Sequence, residues 1–210
     1  MEVTALNIDM CDGMNTVERG IKRMLDVVGA VCGLLLLSPL FALVWMLLKR
    51  QGYGSVIYKQ ERIGYKGEPF FILKFRTMHT DSEADGLPRL AEKDDSRLTP
   101  IGRCLRVYHL DELPQLWNVL RGDMSFVGPR PERKYFIDLI MKENSDYEYI
   151  YCMRPGLTST ATLYNGYTDT MQKMLVRLRM DLEYYRTRSL WKDFMILLTT
   201  VKFIINGKKF

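Results

Sequence analysis

The chain has 210 residues, enough for one globular domain with a modest core, and a formal net charge of +5 with a pI near 9.0. Such a basic balance suits an anionic membrane surface or phosphate-bearing ligands. Nucleic acid is not expected as a partner, because no zinc-finger spacing, RNP-type aromatic motif or arginine-rich arm is present. Cys11, Cys32, Cys104 and Cys152 lie far apart without a CxxC pair, which points to free thiols rather than disulfides or a metal centre. His79 and His109 are too few for a histidine-based metal cluster.

Met1 to Glu18 is polar, carries acids and lacks a basic n-region, which argues against a cleaved signal peptide. Met24 to Leu48 then runs almost without interruption through apolar residues. As a straight helix it would reach roughly 37 Å, enough to cross a bilayer. Two features oppose a simple crossing. Ser38-Pro39 lies inside the run, and Pro39 removes a backbone donor and clashes with the preceding turn, so a kink is expected. Basic residues also flank both ends, with Arg19, Lys22 and Arg23 before and Lys49 and Arg50 after, which draws both ends toward the cytoplasm. A helix that bends at Pro39 and leaves by the face it entered satisfies both features; a spanning anchor with a tolerated proline stands beside it. Asp26, one turn inside the run, is expected to pair with Lys22 or Arg23.

Further on, Val56–Tyr58 and Pro69–Met78 read as strands around the turn-rich Gly64-Tyr65-Lys66-Gly67. In the second strand Ile72, Lys74 and Arg76 share one face, while Phe71, Leu73 and Phe75 share the other, the expected core side. His79 to Thr99 is a long polar loop. Order resumes over Ile101–Val107, with Arg103 and Arg106. Arg133–Tyr151 reads as one amphipathic helix, Arg154-Pro155-Gly156 as a turn, and Thr170–Thr187 as a helix of mixed charge. In the last segment Leu190, Phe194, Leu197, Leu198, Val201 and Ile205 fall on one helical face. Trp191 lies near its start, and Arg186, Arg188, Lys192, Lys202, Lys208 and Lys209 surround it. That pattern fits a helix at the headgroup boundary and, equally, a terminal helix packed on the core.

The most informative stretch is Leu110 to Glu132, LDELPQLWNVLRGDMSFVGPRPE. Asp111 is placed to cap a helix, followed by Glu112, Leu113 and Pro114 in its first turn, with Gly122 placed to end it. Acids at a helix start oppose the macrodipole by a fraction of a kcal/mol, and alone this pair reads as a cap. Its neighbours favour chemistry. A helix N-terminus attracts phosphate, Arg106 lies just upstream, and Arg130 is held in a stiff Gly-Pro-Arg-Pro run whose planar fork suits phosphate oxygens. A carboxylate can act as a nucleophile toward phosphorus, and two acids beside a diphosphate can hold Mg2+.

These residues carry a resemblance to the bacterial sugar transferases, the monotopic phosphoglycosyl transferases that start polyprenyl-linked glycan assembly. It runs from about Arg19 to the C-terminus through KRMLDVVGAVCGLLLLSP, VIYKQERIGYKGEPFFILKFRTM, DSRLTPIGRCLRVYHLDELPQLWNVLRGDMSFVGPRPE, RPGLT and DLEYYRTRSLWKDFMILLTTVKFI. The resemblance implies a re-entrant helix broken at Ser38-Pro39 on the cytoplasmic face of the bacterial inner membrane, where the basic flank already places Lys22 and Arg23 at the membrane surface. It implies that Asp111 attacks the β-phosphate of a UDP-sugar and releases UMP. Undecaprenyl phosphate then takes the sugar-1-phosphate from the aspartyl intermediate, initiating exopolysaccharide, capsule or O-antigen synthesis. Glu112 matches the second acid of the dyad and is implied in Mg2+ or proton handling. Lys74, Arg76, Arg106, Arg130 and Pro131 match positions near substrate phosphates or nucleotide, and the loop after Met78 matches a mobile segment over the site.

The expected architecture is α+β. A polar segment (residues 1–18) precedes a membrane helix-break-helix (19–50). A small, mostly helical cytoplasmic catalytic domain (51–210) follows, with a short β-hairpin and C-terminal interfacial helices. The UDP-sugar, the polyprenyl phosphate and the phospholipid membrane are the expected partners, with room for a homodimer. One departure concerns Ser159 to Tyr167, where many family members carry a Gly-Trp-Ala-Gln-Val-Asn-Gly-Arg type of run. Ala161, Asn165 and Gly166 persist, but the tryptophan, glutamine and final arginine do not. Two alternatives are a membrane glycosyltransferase that moves the sugar alone, releasing UDP, and a non-catalytic membrane scaffold.

Overall fold

The computed structural model describes residues 11–52, 54–79, 96–166 and 168–206, and its first two elements are helices set at an angle. Helix α1 (Thr16–Leu36) opens on a capping box, in which the Asn15 side chain accepts from the Glu18 amide and the Glu18 side chain from the Asn15 amide. Helix α2 (Ser38–Gln51) follows after one residue, bent by 60° from α1. Pro39 therefore stands in the first turn of α2, where its missing donor costs no helical hydrogen bond. The freed Leu35 carbonyl accepts from Ser38 Oγ at 2.8 Å. Among the described residues no single helix is long and apolar enough to cross a membrane; the bent pair together meets the length and composition.

One narrow stripe of α1 faces the protein. Asp26 and Ala30 are buried there, and Gly29 and Gly33 lie between them and beyond. A Cβ on Gly29 would come within 2.8 Å of the Phe126 ring, and one on Gly33 within 3.1 Å of Leu116. Small residues thus let α1 approach what lies beneath it. Around the rest of the pair, Met24, Leu25, Val28, Leu35, Leu36, Trp45 and Met46 are all at least half exposed. Asp26 makes no direct ion pair with Lys22 or Arg23, although its charge acts on Arg23. Its Oδ1 accepts from the Phe126 amide at 3.1 Å, because it points inward with the glycines.

Strands β1 (Ile57–Ile63) and β2 (Pro69–Phe75) form an antiparallel hairpin, pairing Ile57 with Phe75 and Ile63 with Pro69. β1 runs five residues beyond the expected Tyr58, and β2 ends before Arg76. The expected core face is also divided: Phe75 is buried but Phe71 is 56% exposed, and Ile72 on the opposite face is buried. Both faces are partly covered, so alternation alone does not separate inside from outside. Of the loop His79–Thr99, residues 80–95 lie outside the described residues; its ends meet, with Met78 bridged to Leu98.

Helix α3 (Pro100–Val107) is capped by Thr99 and leads through a left-handed His109 into a single 3-10 turn, Leu110–Glu112. Helix α4 begins only at Gln115 and runs to Arg121, ending on left-handed Gly122 as expected. Asp111 is therefore not an N-cap: it lies inside the 3-10 turn, its side chain buried. Strand β3 (Ser125–Val127) pairs in parallel with β4 (Gly156–Thr158). Arg154-Pro155-Gly156 is thus the lead into a strand rather than a free turn. The expected helix over Arg133–Tyr151 is two pieces, α5 (Lys134–Glu143) and a 3-10 segment (Ser145–Cys152). The break falls at Asn144, whose side chain accepts from the Asp146 amide. Helix α6 (Thr160–Asn165) occupies the departing loop, and α7 (Met171–Thr187) and α8 (Leu190–Ile205) close the chain.

The main core gathers Val127, Ile137, Met153, Leu178 and Tyr184 between α5, α7 and β3. Helix α8 meets that core through Ile196 and turns most of its apolar residues outward: Phe194, Leu198, Val201 and Ile205 are 47% to 77% exposed. Its Asp193 is buried instead, bonded to Lys22 Nζ and to the Tyr184 hydroxyl, both at 2.5 Å. Arg188 is also drawn inward, onto Asp12, so it is not part of an exposed basic rim. Lys208 and Lys209 lie outside the described residues.

Candidate active site

The dyad is positioned by three elements that meet at one point. The α3 end delivers it through His109, whose φ of 55° turns the chain sharply; histidine tolerates this region better than a branched side chain would. The α4 end is tied to β2 by Asn118, which is fully buried. Its Oδ1 accepts from the Leu73 amide at 3.0 Å, and its Nδ2 donates to the Phe71 carbonyl at 2.8 Å. Asn118 thus pairs with β2 as a neighbouring strand would, and it brings Lys74 to Glu112. From α1, Arg23 donates to the Val119 and Leu120 carbonyls at 2.7 and 2.9 Å, satisfying the last turn of α4.

Within this frame the two acids sit in unlike surroundings. Lys74 Nζ lies 2.6 Å from Glu112 Oε1, and an Arg130 guanidinium nitrogen lies 4.0 Å from the same oxygen. Burial alone would raise the Glu112 pKa, but Lys74 and Arg130 overcome it and hold the group down at about 2. Asp111 moves the other way. Burial raises its pKa, and the adjacent Glu112 charge adds to the rise against the pull of Lys74, Arg106 and His109. One carboxylate is fixed in its charged form by contact; its neighbour is poorly solvated and more basic. Unlike environments on adjacent acids are how two identical chemistries acquire separate roles.

The sequence-predicted residues divide accordingly. Lys74, Arg106 and Arg130 all bear on the dyad, Arg106 also donating from Nε to Thr77 Oγ1 at 3.2 Å. Arg76 instead donates from Nε to the Ser55 carbonyl at 2.7 Å and lines a shallow cavity with Leu48, Val56 and Thr99. Pro131 is buried, and its carbonyl accepts from Arg62 at 3.2 Å. Lys22 and Arg23, expected at the membrane surface, are committed to Asp193 and to the end of α4. Ser38 and Pro39 form the bend itself. The arginine turn rests against RPGLT: Gly128 donates to the Thr158 carbonyl at 3.1 Å and Gly156 to the Pro129 carbonyl at 2.9 Å. A Cβ on Gly128 would lie 2.3 Å from the Arg154 carbonyl oxygen, so only glycine permits this contact. Asn118 and the pairing of Gly156–Thr158 with β3 are thus structural parts of the site that local sequence reading did not find, RPGLT having entered only as a turn and a matching motif. The one signal for Asn118 was a polar residue inside the apolar run LWNVL.

As a metal site, the dyad offers two carboxylates; among the described residues no group of three or more His, Cys, Asp or Glu side chains gathers. That donor set fits Mg2+ only when substrate phosphates complete the shell, which is the usual Mg2+ arrangement.

The family model described as bacterial sugar transferase matches residues 17–207. A UDP-glucose:undecaprenyl-phosphate glucose-1-phosphate transferase of Caulobacter vibrioides is 43% identical over 182 residues, covering 86% of this chain and 68% of that protein. One of the same name from Escherichia coli is 39% identical, covering 90% of this chain and 41% of its own length. A UDP-N-acetylgalactosamine-undecaprenyl-phosphate N-acetylgalactosaminephosphotransferase of Aeromonas hydrophila is 37% identical, covering 89% and 44% respectively. The chain spans less than half the length of the Aeromonas and Escherichia relatives. The match takes in the bent helix pair, the hairpin with Lys74, the dyad and the arginine turn, and by that extent the chain belongs to the bacterial sugar transferase family.

Proposed function

We propose that the protein transfers a sugar-1-phosphate from a UDP-sugar to undecaprenyl phosphate through a covalent intermediate on Asp111. The observation that carries this reading is the split dyad, a buried Asp111 beside a Glu112 held ionised by Lys74 and Arg130. An Asp111 carboxylate oxygen attacks the β-phosphorus of the donor. The bond from that phosphorus to the bridging oxygen breaks, and UMP leaves with the electron pair. A phosphate oxygen of undecaprenyl phosphate then attacks the same phosphorus. The acyl-phosphate bond to Asp111 breaks, giving the undecaprenyl diphosphate sugar and restoring the carboxylate. Poor solvation at Asp111 favours nucleophilic attack, and the cations Lys74, Arg106 and Arg130 oppose the charge that gathers on phosphorus oxygens. Glu112, together with the donor diphosphate, would hold a Mg2+ ion, which would supply further neutralisation of that charge. The names of the relatives support the donor and acceptor classes.

The membrane supplies the acceptor. The outward apolar residues of α1, α2 and α8 support insertion of the bent pair into one leaflet from the cytoplasmic face of the bacterial inner membrane, with α8 lying at its surface. A patch of this extent is unusual on a protein surrounded by water. The test is to incubate the protein with undecaprenyl phosphate and a panel of UDP-sugars. UMP release supports the reading; UDP release or no nucleotide release overturns it.

A further inference from the structure

Behind Arg130 lies a second cluster of charges that the chemistry above does not use. Glu132 is its centre. Arg177 of α7 donates from Nη1 to Glu132 Oε1 at 2.5 Å, and Arg62 of β1 reaches Oε2 at 3.5 Å. All three side chains are at least 83% buried. The backbone is held at the same place, since Ile63 donates to the Glu132 carbonyl at 3.1 Å and Arg62 to the Pro131 carbonyl at 3.2 Å. Three residues upstream of Glu132, Gly156 donates to the Pro129 carbonyl, so the turn carrying Arg130 is pinned on both sides.

The electrostatics explain why an acid is needed there. Burial lowers the Arg62 pKa to about 10; Glu132 opposes that, while Arg130 and Arg133 push further down. Arg177 is lowered by burial in the same way, supported by Glu132 and repelled by Arg130. Arg130 therefore feels two buried guanidiniums, and Glu132 is the charge that offsets both. Asp181 also faces Arg177, but burial raises its pKa to about 7, so near neutrality it offers Arg177 only a partial charge.

We propose that Glu132, clamped between Arg62 and Arg177, is a positioning residue that offsets their repulsion and sets the Arg130 guanidinium for the diphosphate of the donor. This rests on the phosphoglycosyl transfer reading, and specifically on Arg130 meeting phosphate.

A double-mutant cycle on the full chain in lipid nanodiscs tests it, with kcat/KM for UMP release as the readout and thermal unfolding as the control. Arg130→Ala is expected to lower kcat/KM about 100-fold and Glu132→Gln about tenfold, consistent with the loss of charge-assisted contacts. In the Arg130→Ala background, Glu132→Gln is expected to cost less than about twofold, because nothing is left to position. A Glu132→Gln loss of equal size in both backgrounds overturns the proposal and makes Glu132 merely structural, while leaving the transfer reading intact. An Arg130→Ala variant with unchanged kcat/KM overturns both the proposal and the assignment of Arg130 to phosphate. Arg177→Lys, which keeps the charge but loses the planar fork, runs through the same cycle should Glu132→Gln not fold, with the same two outcomes.

Discussion

Among the described residues, two of the acid–base clusters are similar in composition and differ in what they face. In the first, Glu112 is pinned by Lys74 and Arg130 beside a buried Asp111. In the second, Glu132 is pinned by Arg62 and Arg177, with a buried Asp181 close by. Each has a glutamate in contact with two cations and an aspartate made less acidic by burial. Arg130 on the outer cluster keeps 39% of its side chain exposed, while the cations of the inner cluster keep 17% and 11%. Arg130 is thus the cation of the outer set that is open to a ligand, whereas the inner set is closed. On the proposed reading the same residue types do chemistry in one place and hold a loop in the other, and access separates them.

The largest expected effect separates the clusters outright. Asp111→Asn is expected to lower UMP release by about 10³-fold or more without loss of the folded state, since on the proposed reading it removes the attacking group. Asp181→Asn is expected to keep most of that activity. Glu112→Gln follows at about 10²-fold, within the range for a group that handles protons or charge in the transition state. Excess EDTA is expected to suppress turnover, and full activity under chelation would remove Mg2+ from the account.

Stability against pH distinguishes them further, with opposite signs. The Glu112 pKa is held down at about 2, so its contribution is present above its ordinary value near 4.5 and is lost as pH falls toward 2. Asp181 is raised from 3.8 to about 7. The unfolded chain releases that proton first, and the fold loses stability as pH rises from about 4 to 7. At roughly 1.4 kcal/mol per unit this amounts to about 4 kcal/mol as an order of magnitude. Asp181→Asn should flatten that decline in denaturant titrations between pH 4 and 8, and an unchanged slope would assign it elsewhere.

The smallest expected change concerns the bend. Pro39 lies in the first turn of α2, and Ser38 already satisfies the Leu35 carbonyl. Pro39→Ala is therefore expected to straighten the pair only in part. A cysteine label near residue 1 should remain unreachable from the periplasm in intact cells; labelling in the wild-type protein would make α1–α2 a crossing.

Local signals identified much of this frame. Gly122 ends α4 and Pro39 marks the bend, each because one residue carries its own backbone preference. The dyad and its arginines were legible as a charge pattern whose meaning came from the family resemblance. What escaped was non-local. The β3–β4 pairing joins two three-residue strands far apart in sequence, too short for any alternation to register. The break at Asn144 interrupts a hydrophobic period that continues on either side. Asp12 with Arg188 and Lys22 with Asp193 pair across almost the whole chain, so their charges read as surface until the fold buries them.

The central claim is a phosphorus–oxygen bond to Asp111. Its most direct test is intact and peptide mass measurement of the protein incubated with UDP-sugars in the absence of undecaprenyl phosphate. The account predicts a sugar-phosphate adduct on Asp111, one UMP released per adduct formed, and discharge of the adduct when undecaprenyl phosphate is added. UMP release that requires the acceptor and leaves no adduct on any residue would contradict it.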